Sequence, residues 1–376
     1  MLEQLDQEIA DREQHFSFDP NEVYYYNAQR SQPLILSLQK RYDNFDTKHI
    51  YELFQKHLGV WDIKDVRFNT TFGTWHVVAF VDTSDHTYVY RQTLDLPEPE
   101  SYMLMEQELA DKFKSIGIGS VDILAFGAEE GYEWQIMEVL PGENVKEFKW
   151  TQEEYDIITF QIGRIAAMQY HLPMQWWGRI VKVDGQLQWY QKTHYDHFTA
   201  YLDYDFGVMK LSQLLTAADI AILKEHLMGE RVKEVFANTQ SYLIDNDLPD
   251  HNVRFDKDTL RVLAIYDLES AVVYDPICEL GSLPTWTFPY PKKQKLIEWF
   301  RSYIKTAGLE DKVDLSHFEE KIALYFLRTI LWKMPMAIKG KKLSSKHIRL
   351  FREAIADNKL NIELNPEAVK ILVGDR

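Results

Sequence analysis

The alternation of apolar and polar positions along this 376-residue chain changes character once. Between Val60 and about residue 140 it favours strands. β-prone runs at 66–71, 75–82 and 87–93 are separated by turn signals at Gly73 and at Ser84-Asp85. Two more runs, 120–126 and 132–139, follow a helix predicted over about 98–115, introduced by Pro97 and Pro99 and closed by Gly117. An earlier helix is predicted over 46–57, with Ile50, Phe54 and Leu58 at helical spacing and Gly59 as its stop. Leu140-Pro141-Gly142 then interrupts an apolar strand and reads as a hinge.

Beyond the hinge the spacing becomes helical. Thr151 and Glu154 form a capping-box pattern, and Ile158, Ile162 and Ile165 mark a buried face of a helix ending near His171. A hairpin is expected at 179–183 and 186–190 around Asp184-Gly185. The aromatic and leucine-rich stretch 195–206 reads as core. Leu296, Trp299, Phe300, Tyr303 and Ile304 form a helical stripe, and further helices are expected over 318–332 and 344–356. The chain thus divides into an extension (1–45), a small β lobe (46–140) and a larger, mainly helical lobe (141–376). The class is α+β.

Composition narrows the options. Hydrophobic residues at 45% and aromatics at 14% describe a folded chain, long enough for two sizeable cores. The single cysteine, Cys278, excludes an internal disulfide framework and suits a reducing compartment. The polar, acidic N-terminus does not read as a signal peptide, and the nearest approach to a membrane span, 322–332, is broken by Arg328. A cytoplasmic protein without a membrane anchor is expected. A net charge of −16 argues against nucleic-acid partners. It would favour a cationic small molecule if carboxylates crowd a cleft, and it serves solubility equally well. The basic stretch 339–349 reads as a solvated loop and helix start.

The chemistry concentrates in 241–283. Asp247 is followed five residues later by Asn252, and Asp267 closes an apolar run. Transfer of a phosphoryl group needs three such oxygen-bearing groups: a carboxylate to take or orient the acceptor hydroxyl, and an Asn and an Asp to hold magnesium on the nucleotide phosphates. Strands at 253–255 and 260–266, joined by Asp256-Lys257-Asp258-Thr259, would return Asp267 to the side where Asn252 begins. A calcium loop counted from Asp245 fails, since Asp250 and Asp256 stand where Gly and Glu are required. An ordinary acidic hairpin is the bland alternative.

Other candidates are weaker alone. The loop Asn69-Thr70-Thr71-Phe72-Gly73 has the small residues of a phosphate cradle but one glycine. Arg91 is an isolated strand cation able to bind phosphate bidentately, with Glu106 as its expected partner and Glu108 as runner-up. His194 and His197 lack further zinc ligands. Trp286, Phe288, Tyr290, Trp299 and Trp332 could include a cage for a quaternary ammonium, though each alone is more often core.

The order of these features resembles the aminoglycoside phosphotransferase and choline kinase family, a branch of the protein-kinase-like two-lobe fold, over roughly residues 50–335. Asp245-Asn246-Asp247-Leu248 matches the His-Asn-Asp-Leu of choline kinases except at the first position. Asp267-Leu268-Glu269 with Asp275-Pro276, and Met105-Glu106 through Gly117-Ile118-Gly119, match further family segments, and Arg91 stands where choline kinases have Arg and many relatives Lys. The resemblance implies a small antiparallel β lobe on a helical lobe, and ATP and Mg²⁺ as cofactors. It implies Asp247 as catalytic base, Asn252 and Asp267 as metal ligands, and Arg91 on the ATP phosphates oriented by Glu106. Thr70 and Thr71 would lie near the phosphates and the backbone of Glu138–Leu140 against adenine. Glu269 would assist the metal or a substrate amine, and Asp245 and Trp286 would face the substrate. The acceptor would be an amino alcohol such as choline or ethanolamine, or an aminoglycoside-like sugar. Asp245 in place of the family His keeps a second reading open, a pseudokinase that binds nucleotide without turnover. A protein kinase is disfavoured, because no Ala-Pro-Glu-like motif follows Asp267.

Overall fold

The computed structural model describes residues 4–7, 40, 42–43, 45–70, 76–93, 103–129, 132–144, 149–183, 186–189, 193–248, 252–286 and 293–374. Its first lobe is a five-stranded sheet of β1 (Asp65–Phe68), β2 (Val77–Asp82), β3 (Thr87–Gln92), β4 (Ile123–Glu129) and β5 (Tyr132–Glu138), in the order β1-β2-β3-β5-β4. All neighbouring strands are antiparallel. Alternation sets its faces: Val77, Ala79 and Val81 are buried, and Ala79 and Val81 pack with Ile50, Leu53 and Phe54 of α1 (Lys48–Leu58). Full burial of one such side chain is worth about 1.5–3 kcal/mol. Helix α1 stops at Gly59, whose φ of +67° is open to glycine without strain.

Helix α2 (Met103–Ser115) has a different allegiance. Met105, Leu109, Ala110 and Phe113 join the core of the larger lobe, not the cluster around α1. The lobes also touch through backbone. Ser120 bridges Ile265 in parallel, and the N–H of Ile265 donates to the carbonyl of Gly119 at 2.9 Å. A Cβ at Gly119 would lie 2.0 Å from the carbonyl oxygen of Leu263, so only glycine lets the strands approach. Gly142, in the expected hinge, has φ +88° and would place a Cβ 2.5 Å from the carbonyl oxygen of Phe255.

After the hinge come β6 (Glu143–Asn144) and α3 (Gln152–Met168), which opens with the expected capping box of Thr151 and Glu154 and runs into a 3₁₀ turn at Gln169–His171. β7 (Gly178–Val183) and β8 (Gln186–Trp189) form the expected hairpin. Helices α4 (His194–Thr199), α5 (Leu202–Leu211), α6 (Ala217–Met228) and α7 (Glu230–Phe236) follow. Next are the strands β9 (Tyr242–Ile244), β10 (Val253–Phe255), β11 (Val262–Ile265) and β12 (Val272–Tyr274). The chain ends in α8 (Ile277–Trp286), α9 (Lys293–Thr306), α10 (Phe318–Lys339), α11 (Ser345–Asp357) and α12 (Pro366–Val373). Two small sheets, β11-β10-β6 and β8-β7-β12-β9, support the loops of the site.

Helix α10 is the spine of this lobe. It runs past the expected end at Trp332 and through Pro335, because Met334, Ala337 and Ile338 continue the buried face. Arg328, the charge that interrupts its apolar run, is buried against Asp205 at 3.0 Å and also donates to the carbonyls of Phe198 and Ala200. Among the described residues no helix is long and apolar enough to cross a membrane.

Candidate active site

The loop between β9 and β10 is shaped by its own short polar residues. Asn246 takes a left-handed conformation (φ +65°), which Asn tolerates better than most side chains, and its amide donates to the carbonyl of Ser270 at 3.2 Å. Three successive N–H groups are taken by buried side-chain oxygens. Asp245 donates to Gln169 Oε1 (2.6 Å), Asn246 to Glu279 Oε1 (2.7 Å) and Asp247 to Asp245 Oδ1 (3.0 Å). Asn252 is tied back to the same loop, its Nδ2 donating to the Asp247 carbonyl (2.9 Å) and carboxylate (3.2 Å). With the amide nitrogen so committed, the amide oxygen is left for a hard cation.

The β10–β11 hairpin returns Asp267 to this loop. Val253 pairs with Ile265, and the N–H of Tyr266 donates to the Asn252 carbonyl at 3.1 Å. The turn is held by Asp256, whose Oδ1 accepts from the N–H groups of Asp258 and Thr259. Asp267 follows in a left-handed conformation (φ +68°), and its carboxylate meets Arg91 from β3 at 2.5 Å. Arg91 also donates to both oxygens of Glu106 on α2 (2.9 and 3.2 Å) and to Glu269 (3.1 Å). Glu106 Oε1 in turn accepts the N–H of Leu268 at 2.9 Å. His76, just before β2, closes the group with Nε2 2.7 Å from Glu269 Oε2.

One guanidinium therefore serves three carboxylates. Burial opposes charge on Arg91, but Glu106, Asp267 and Glu269 outweigh that and hold it firmly protonated. Burial pushes Glu106 upward, Arg91 opposes this, and the neighbouring Asp267 and Glu269 add to the rise. The surplus of negative charge, with Asp267 still 36% exposed, fits a site for a divalent cation. His76, Asp267 and Glu269 each offer a ligand atom within 4.8 Å of the others. Beneath the loop Asp245 is fully buried, and burial, Glu279 and Asp247 push its carboxyl well above the usual range. Glu279 is pushed up to about 7, chiefly by burial. Half-buried Lys333 of α10 acts on Asp247; burial pulls its ammonium well down, Asp247 opposes that, and Lys346 of α11 adds to it.

The structure thus brings Arg91, Glu106, Asp247, Asn252, Asp267 and Glu269 into one junction between the lobes. Two expectations need correction. Asp245 lies under the loop with no exposed surface, so it does not face a substrate. Glu269 is engaged by Arg91 and His76, with its side chain 19% exposed, so it does not stand open to a substrate amine. The N–H of Glu138 is spent on the Asp122 carbonyl (3.0 Å), so donors for a ring edge begin at Val139 and Leu140, where β5 has ended. Thr70 is described and exposed, whereas Thr71 lies outside the described residues, as do Phe288 and Tyr290 and the side chain of Trp286. Of the remaining cage candidates, Trp332 packs with Ala200, Tyr201 and Met336, while Trp299 meets Phe160 edge to face with ring centroids 5.3 Å apart. These two are parts of separate packing clusters.

Gln169, Glu279, His76 and Lys333 carry no motif of their own. Only Glu279 had a usable signal, three residues after Pro276 in the first turn of α8.

A five-stranded antiparallel lobe on a helical lobe, joined at an Arg–Glu pair and an Asp-bearing hairpin, defines the protein-kinase-like class. Residues 73–308 match the model of the phosphotransferase enzyme family, which is more than half of the chain, and the protein belongs to that family. Solved structures share the fold. A candidate aminoglycoside phosphotransferase from Ralstonia eutropha JMP134 superposes with a TM-score of 0.55 at 17% identity, over 84% of this chain and 97% of that one. A microcompartment-associated aminopropanol kinase gives 0.54 at 14%, over 82% and 95%. Spectinomycin phosphotransferase in complex with ADP and spectinomycin gives 0.52 at 13%, over 88% and 98%. No curated protein matches the sequence significantly. The class is that of small-molecule phosphotransferases acting on hydroxyl groups.

Proposed function

We propose that the protein is an ATP-dependent small-molecule kinase in which Asp247 is the base. Its carboxylate takes the proton of the acceptor hydroxyl as that oxygen bonds to the γ-phosphorus; the bond to the β–γ bridging oxygen breaks and ADP leaves. Asn252 and Asp267 would hold Mg²⁺, which when bound neutralises the charge gathering on the phosphates. Arg91, backed by Glu106, orients the phosphates, and Leu140 and Val139 at the hinge border the adenine side. The observation that carries this reading is that one side chain, Arg91, bonds both the α2 glutamate and Asp267, so the nucleotide lobe and the metal-bearing hairpin are set relative to each other. A kinase drawing on ATP, with a single cysteine, belongs in the cytoplasm.

For the acceptor, an amino alcohol or aminoglycoside-like sugar accords with the overall charge of −16 and with what the aminopropanol kinase and spectinomycin phosphotransferase act on. A second reading, an acceptor bearing a carboxylate or phosphate, is favoured by the two lysines Lys333 and Lys346, whose charges act on each other while Lys333 also acts on Asp247. Incubation with Mg-ATP and three panels (amino alcohols, aminoglycosides, and hydroxy or sugar acids), with products read by mass, separates the two. Asp247→Asn is expected to lower turnover by about 10²–10⁴-fold while nucleotide still binds. Binding of Mg-ATP with no product from any panel would instead mark a pseudokinase.

A further inference from the structure

The two terminal nitrogens of Arg91 are fully committed to carboxylates. Nη1 donates to both oxygens of Glu106, and Nη2 donates to Asp267 Oδ1 at 2.5 Å and to Glu269 Oε2 at 3.1 Å, which uses all four Nη–H groups. A phosphate can gain this fork only where a carboxylate leaves it. Glu106 is poorly placed to leave, because it is buried and also accepts the N–H of Leu268. Asp267 is wanted close by for the proposed metal. Glu269 remains, and the oxygen that Arg91 reaches on it, Oε2, is the same atom that lies 2.7 Å from His76 Nε2. Carboxylate oxygens only accept, so Nε2 carries the hydrogen of that bond. Two N–H donors, one from β3 and one from the residue before β2, thus converge on a single anionic oxygen.

We propose that this point is a phosphate subsite: Arg91 Nη2 and His76 Nε2 together bind one phosphate oxygen of the nucleotide, and Glu269 Oε2 occupies its place in the free protein. The proposal rests on the reading of this junction as the nucleotide site and adds His76 to it as a binding residue. The sheet explains how His76 comes to be there. Val78 lies opposite Arg91 in the β2–β3 ladder, and His76 precedes Val78 by two residues, the spacing that returns a side chain to the same face. The His76 side chain is only 12% exposed, so little water competes for its hydrogen bond. A phosphate oxygen and a carboxylate oxygen are both anionic acceptors, and one pair of donors serves either. They cannot be served together, because the two anions repel at contact distance. Glu269 leaves by turning about its own side-chain bonds, which keeps the backbone of Asp267 in place. His76, Asp267 and Glu269 are also close enough together to surround a metal ion. Arg91 already stands on both of those carboxylates, which favours the phosphate.

The test uses the full-length protein, its His76→Ala and Glu269→Ala variants and the double variant. Calorimetric titration with ATP and with adenosine, in the presence of Mg²⁺, gives the affinities, and thermal unfolding of each variant checks its fold. His76→Gln takes the place of His76→Ala if the latter does not fold. Loss of His76 should weaken ATP by about tenfold or more and leave adenosine unchanged. Glu269→Ala removes the competing anion and should tighten ATP by about threefold or more. In the Glu269→Ala background, loss of His76 should weaken ATP as much as it does in the wild type. A His76 that only steadies Glu269 has no effect once Glu269 is gone, and that result overturns the proposal. Equal weakening of adenosine overturns it too, since adenosine has no phosphate to lose. Weaker binding of Mg-ATP by Glu269→Ala overturns it as well and makes Glu269 a metal ligand. Each of these leaves the kinase reading standing, whereas a wild type that binds no ATP overturns that reading and this proposal with it.

Discussion

Two groups of carboxylates flank the loop that carries Asp247, and they are held by opposite means. At the lobe junction Glu106, Asp267 and Glu269 gather around a permanent cation, Arg91, with His76 at the edge. Beneath the loop Asp245 and Glu279 meet backbone N–H groups and an amide. A guanidinium stays charged at any working pH, so it offers the surrounding carboxylates a fixed partner while Asp267 is left partly open. That suits the proposed role of Asp267, which would exchange a protein cation for a metal. Backbone dipoles give a rigid support without adding a charge.

The largest effect should come from Arg91→Met. Removing the cation strands three carboxylates, one of them fully buried, and breaking such a pair costs about 3–5 kcal/mol. Urea unfolding measures it, and a loss under about 1 kcal/mol would mean that Arg91 does not hold the cluster. Next in size, Asp267→Ala should leave the free protein nearly as stable but abolish stabilisation by Mg-ATP. For the wild type that gain is about 2.7 kcal/mol at a nucleotide concentration of 100 times Kd. A variant that keeps the thermal shift would overturn the proposed metal role of Asp267.

A smaller effect separates the two groups by pH. Glu279 titrates near 7 in the fold against an ordinary 4.5, so the folded state binds its proton more tightly than the unfolded state does. Its contribution is complete below the unfolded value and is lost as pH rises through about 7, at no more than about 1.4 kcal/mol per pH unit for one proton. Glu279→Gln should flatten that slope, and equal slopes in wild type and variant would contradict it. Smallest of all should be the effect of salt on the junction. The Arg91–Glu106 pair is buried, so raising ionic strength to about 0.5 M should change stability by less than about 1 kcal/mol.

What could be read in the sequence follows the same division. The strands of the small lobe, α1, α3 with its capping box, the β10–β11 hairpin and the Arg91–Glu106 pair all rest on local periodicity, caps or ordered motifs. The two- and three-residue strands β6, β9 and β12 did not show, because so short a run has no period and is stabilised by its neighbours. Helices α6 and α7 lacked a strong apolar stripe. Asp245 was misplaced for a different reason: charge and motif position say that a carboxylate is present, but not that Gln169, 76 residues earlier, and Glu279, 34 residues later, enclose it. Burial of that kind is decided by tertiary packing. The roles of Lys333 and His76 are equally non-local.

Cys278 gives the molecule a built-in clock. It is the sole thiol in the chain, it is buried, and it adjoins the acid that grips the catalytic loop. A buried thiol held protonated reacts with an alkylating reagent only during excursions that release its surroundings. The labelling rate therefore counts how often the floor of the catalytic loop opens. A ligand that tightens the loop would slow that count without any change in the static structure.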